Sequence, residues 1–126
     1  MCHVFVDAAA DLAKAAKIVV DAKTDYPAAC NACETVLFHE DVVSTGGIYK
    51  VLQAMRQAGI TCKAGPKAIE LGLFNASDAP ENNNLSVEYG DLNCLVEVVS
   101  EKKCVKYTEE YHDCMLQGTT TVLELL

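Results

Sequence analysis

The sequence contains no tryptophan, only 6% aromatic residues and three prolines in 126 positions. Its core must therefore be assembled mainly from Val, Leu, Ile and Ala, the side chains that fill α/β proteins with buried strands. Positive charge is scarce as well. Against 18 acidic residues stand 10 basic ones, a net charge of -8. No run of Lys or Arg reverses that balance locally, which argues against a nucleic-acid backbone or an anionic membrane as partner. Apolar runs of the ~20 residues needed to span a bilayer are missing. The N-terminal stretch MCHVFVDAAADLAK shows neither a basic start followed by an apolar signal core nor an Arg- and Ser-rich transit composition. The expectation is a cytoplasmic or mitochondrial location, with no targeting signal in this chain. A glycine-rich strand-to-helix turn of the kind that grips a dinucleotide pyrophosphate is also lacking.

What is present points to a folded chain. The hydrophobic share is 51%, enough for a core in one domain or in part of a larger one. Seven cysteines form an odd set without a secretory signal. That favours free thiols in a reducing compartment, most of them packed as small apolar groups.

Residues 2–6 read as a short strand closed by Asp7, a good helix N-cap. Residues 8–23 carry helical period, with Leu12, Ala15, Ala16 and Val19 on one stripe and Asp11, Lys14, Lys17 and Asp21 toward the other side. Tyr26-Pro27 stops this helix, because the residue before a proline is pushed out of the α region. Residues 34–39 predict a strand. A second helix opens at Thr45-Gly46-Gly47, with Ile48, Val51, Leu52 and Met55 on one face and Gly59 as its C′ glycine. Residues 60–63 predict a strand, 64–66 a turn and 67–72 a short helix. Residues 75–87, rich in Asn, Ser, Asp and Pro, read as a surface loop, and residues 95–99 as another strand. Residues 101–126 show no clear period. The alternation of strands and helices implies an α/β layered unit with a mostly parallel sheet.

The stretch DYPAACNACE, residues 25–34, is the most informative for chemistry. A cysteine between a helix-stopping proline and the next strand can sit at a turn whose backbone N–H groups point at its sulfur. Such donors favour the thiolate over a thiol of ordinary pKa and can also stabilise an oxyanion at an attacked acyl carbon. Cys30 is thereby the candidate nucleophile. Asn31, immediately after it, is read either as a residue that holds the nucleophile loop or as a polar cap of the next turn.

Several ordered motifs resemble one family. CHVFVD, IVVDAK, YPAACNA-x-ET-x-L-x-H-x-D, AGPK at residues 64–67 and EYGDL at residues 88–92 together cover roughly residues 2–99. They are similar to the γ-glutamyl phosphate reductases of the aldehyde dehydrogenase superfamily, and the wording around Cys30 looks closer to the fused eukaryotic Δ1-pyrroline-5-carboxylate synthases than to the separate bacterial enzymes. The resemblance implies a partial catalytic domain of the aldehyde dehydrogenase fold. It also implies NADPH-dependent reduction of γ-glutamyl phosphate to glutamate 5-semialdehyde, on the way to proline. Cys30 would form the thioacyl intermediate, and Glu88 would lie near the nicotinamide ribose. A homo-oligomeric assembly is a further implication. The family pattern departs in two places: the coenzyme-binding segments that precede CHVFVD have no counterpart here, and residues 101–126 form a tail unmatched to the family. The expectation is a fragment that is inactive in isolation, with residues 1–100 as the partial reductase domain.

Three rival readings remain. Cys30-x-x-Cys33 has the spacing of a thiol redox pair, although such pairs start a helix after a strand, the reverse of the order here. A zinc site would have the Cys30/Cys33 pair, but the adjacent Cys2 and His3 would point to opposite faces of a strand, and Cys104, His112 and Cys114 follow no ligand pattern; none is expected. A non-catalytic fragment that docks onto other subunits through unpaired sheet edges is the third. His39 and His3 are read as structural.

Overall fold

The structure, a computed structural model, describes residues 2–29, 32–85, 87, 89–99 and 120–123. Five strands form one sheet, β1 (Cys2–Val6), β2 (Cys33–His39), β3 (Thr61–Ala64), β4 (Asn93–Val99) and β5 (Thr120–Leu123). Their spatial order is β3-β4-β2-β1-β5, and every neighbouring pair runs parallel. Parallel neighbours require crossovers, and helices supply most of them. They are α1 (Leu12–Thr24), α2 (Glu40–Ser44), α3 (Ile48–Gln57) and α4 (Pro66–Glu70). The α/β architecture with a parallel sheet is the one implied by the order of sequence patterns. The tail, in which no period was legible, contributes β5 beside β1.

Alternation along the strands divides the core in two. Val4, Val6, Val36, Phe38, Cys94, Val96 and Val98 face Ala15, Val19, Leu52 and Met55 of the helices. Phe5, Leu37, Leu95 and Val99 face the other way, packed with Leu85 and Tyr89. Burying each Val, Leu or Phe contributes roughly 1.5–3 kcal/mol before entropy is counted.

The start of α1 corrects the sequence expectation. Asp7 does not cap the helix; its carbonyl accepts from Ala10 N–H at 3.1 Å and closes a turn instead. Asp11 is the cap, its carboxylate accepting from the N–H groups of Ala13 at 3.0 Å and Lys14 at 3.2 Å. The turn made by residues 7–10 delays helix entry by one turn. In α3 the four apolar residues are all buried, as their spacing predicts, and Gly59 takes a φ of +83° just past the helix end. That left-handed conformation is the one glycine adopts without a Cβ penalty. The short helix α2 had no apolar signature. His39 starts it, closing β2 and accepting on Nδ1 from Asp41 N–H at 3.0 Å.

Candidate active site

Cys30, Asn31 and Glu88, the three residues proposed from the sequence, lie outside the described residues. Their flanks are described. After α1, Ala29 N–H donates to the Tyr26 carbonyl at 3.0 Å, and Ala32 N–H donates to the Ala29 carbonyl at 3.1 Å. Ala32 and Cys33 are then buried as the chain enters β2. The 88–90 segment leads into β4, next to β2 in the sheet. Since β2 and β4 are parallel, both candidate segments lead into the amino-terminal ends of adjacent strands.

A buried polar cluster fixes this corner. Lys23, on the last turn of α1, donates from Nζ to Glu34 Oε1 at 2.7 Å, with the two side chains only 0% and 2% exposed. Glu34 Oε2 accepts from the backbone N–H groups of Tyr89 and of Gly90, the latter at 3.2 Å. One carboxylate thus joins the end of α1, the beginning of β2 and the segment before β4. Sequence reasoning missed both residues. A signal existed for Lys23, which stands four positions after Val19 and so falls on the buried stripe of Ala15, Ala16 and Val19.

The thiols around the cluster are quiet. Cys33 is buried and its Sγ donates to the Thr35 carbonyl at 3.3 Å. The neighbouring Cys33 side chain and complete burial hold the Cys94 thiol well above its usual pKa. Burial pushes Cys62 up to about 11. Cys33, Cys62 and Cys94 are all free. On the other side of the corner, burial pushes the Tyr89 hydroxyl up to about 12, with smaller contributions from Cys94, Glu34 and Asp91.

Further out, Glu97 on β4 is buried and caps the start of α4. Its carboxylate accepts from Ala68 N–H at 2.8 Å, Lys67 N–H at 3.3 Å and its neighbour Val98 N–H at 2.9 Å. Desolvation nevertheless raises its pKa, because these donors only partly replace water. Burial lowers the His3 imidazole to about 4. Among the described residues no three His, Cys, Asp or Glu side chains gather as metal ligands, and Cys104, His112 and Cys114 lie outside them. No helix among the described residues is long and apolar enough to cross a membrane.

No family model matches the chain. Individual proteins do. A Δ1-pyrroline-5-carboxylate synthase of Solanum lycopersicum is 44% identical over 101 residues, covering 80% of this chain and 13% of that protein. Δ1-pyrroline-5-carboxylate synthase 1 of Oryza sativa is 35% identical over 129 residues, covering 98% of this chain and 17% of its own. The crystal structure of γ-glutamyl phosphate reductase from Thermotoga maritima superposes with a TM-score of 0.81 at 28% identity, covering 97% of this chain and 28% of that one.

The chain is a homologue of the γ-glutamyl phosphate reductases. It spans a small part of their length: 13% of the Solanum synthase and 28% of the Thermotoga reductase. The family resemblance read from the ordered motifs is thereby matched by similarity in sequence and in fold. An acetylating aldehyde dehydrogenase from Geobacillus thermoglucosidasius shares the fold, with a TM-score of 0.52 at 16% identity. The matches to the Oryza synthase and the Thermotoga reductase cover so much of the chain that they extend into residues 101–126.

Proposed function

We propose that this chain is the nucleophile-bearing segment of a γ-glutamyl phosphate reductase in proline biosynthesis, with Cys30 as the acyl acceptor. The observation that carries this reading is the Glu34 carboxylate. It bonds the start of β2 to the backbone N–H groups of Tyr89 and Gly90, which supports a common task for the stretches of sequence that flank Cys30 and Glu88.

The chemistry follows from the residue types. The Cys30 thiolate attacks the acyl carbon of γ-glutamyl phosphate. A carbon–sulfur bond forms, the carbon–oxygen bond to phosphorus breaks, and inorganic phosphate leaves. Acyl phosphates are already activated, so placement of the thiolate and N–H donors for the developing oxyanion are the main requirements. Asn31 would hold the loop that supplies them. Bound NADPH would supply hydride to the thioester carbon, and the carbon–sulfur bond would break to give the aldehyde and return Cys30 to its thiolate. Glu88 is the residue of this chain that would face the coenzyme ribose.

Backbone N–H groups at the starts of α1, α2 and α4 serve Asp11, His39 and Glu97, whereas α3 starts at Gly47 without a side-chain cap. The chain spans 13% of the Solanum synthase, and by itself it is expected to oxidise no NADPH.

Incubating the chain with γ-glutamyl phosphate and mapping adducts by peptide mass spectrometry tests the first step. A γ-glutamyl thioester on Cys30, released phosphate and no adduct in Cys30→Ala are the expected results. Acylation of the chain at other residues, with Cys30 unmodified, would overturn the reading.

A further inference from the structure

Lys23 and Glu34 bracket the segment that carries Cys30, one at its entry from α1 and the other at its exit into β2. Neither belongs to the chemistry described above, yet both are withdrawn from water. An ammonium and a carboxylate in that position repay their desolvation only with good geometry and with partners for the remaining lone pairs. Glu34 meets that condition in a directed way. Its first oxygen takes Lys23 Nζ at 2.7 Å, and its second takes the N–H groups of Tyr89 and Gly90. Apolar side chains of similar volume would fill the same space, but they would not tie two backbone N–H groups of one loop to the base of another.

We infer that Lys23 and Glu34 are positioning residues that hold the Cys30 segment in register with the 88–90 segment. The inference rests on the proposed function, since it assigns the two segments a common task. Lys23 closes the base of the nucleophile loop by drawing the start of β2 onto α1. Glu34 transmits that position to the residues beside Glu88. Misplacement by about an ångström at a reacting centre costs as much as 100-fold in rate, so a rigid tie of this kind has a direct chemical use.

The test uses this chain, with two readouts on K23M/E34L and K23M/E34Q. The first is hydrogen exchange at the Tyr89 and Gly90 amides; the second is the rate of Cys30 alkylation by iodoacetamide at fixed pH, mapped by peptide. K23M/E34L removes the tie while keeping apolar volume. It is expected to lose about tenfold or more in protection at both amides and to change the Cys30 rate, with the β2 and β4 amides still protected. K23M/E34Q keeps a neutral acceptor at position 34 and is expected to restore part of both. If K23M/E34L does not fold, K23M/E34Q, which loses the Lys23 ion pair but keeps an acceptor, is expected to show a smaller change of both readouts in the same direction against the parent chain. An unchanged Cys30 rate in folded variants would overturn the inference, whether or not the amides lose protection, because the pair would then be structural support alone. A parent Cys30 that accepts no acyl group speaks against the proposed function instead, and is read in a separate experiment.

Discussion

The carboxylate of Glu97 occupies the space that a side chain on Gly65 would need. A Cβ built on Gly65 meets Glu97 Oε2 and Cδ at less than contact distance. Glu97 cannot step aside easily, since three backbone N–H groups hold it. Gly65→Ala is therefore expected to destabilise the chain by about 1–3 kcal/mol, the usual cost of overpacking. In a Glu97→Ala background, the same substitution should lower the urea midpoint less than it does in the parent chain.

Lys23→Met and Glu34→Leu made singly each leave a buried charge without its partner. Each is expected to cost about 3–5 kcal/mol, whereas the double substitution should cost much less than the sum. Chemical denaturation of the four proteins gives the cycle. Additive losses would show that the two side chains act independently.

His3 predicts the acid limb of the stability curve. Its folded pKa, about 4, lies below the ordinary value of 6.5 because burial disfavours the imidazolium. Stability from the neutral form is complete above about pH 6.5 and is lost as the pH falls toward 4, since the unfolded chain takes up the proton first. His3→Gln should flatten the pH dependence of the urea midpoint over that window. An equally steep slope in the variant would place the effect on other groups.

Thiol labelling separates the cysteines. Cys33 and Cys94 should remain unmodified in the folded chain at pH 7.5 because they are buried, whereas half-buried Cys62, its thiol pushed up to about 11, should label slowly. All three should label on denaturation. A Cys30–Cys33 disulfide after mild oxidation, found by non-reducing peptide mapping, would favour the redox reading of that pair over acyl transfer.

The fold was legible where apolar pattern and punctuation agreed. Residues 34–39 are an uninterrupted β-type run, and α3 carries its four apolar residues at helical spacing between Gly47 and Gly59. Pattern failed where the deciding contact was polar or distant. Two aspartates precede α1, and only a backbone turn at residues 7–10 selects Asp11 over Asp7. Four-residue β5 carries too little pattern to announce itself, and its placement depends on β1, over a hundred residues earlier. At the candidate site, Cys30 stood out by its place between a proline and a strand, and Glu88 only through family resemblance. Lys23 and Glu34 were hidden because charged residues next to apolar ones are usually read as solvated. Their partnership across residues 24–33 is a product of packing.

Pairing of β1 with β5 has a consequence for synthesis. While a ribosome makes this chain, β1, β2 and β4 can come together once residues up to 99 have emerged, but the free side of β1 stays open until residues 120–123 follow. Closing that long a loop is slow, and an open parallel edge recruits strands from other molecules. Nascent chains halted between those two points are the ones expected to need a chaperone.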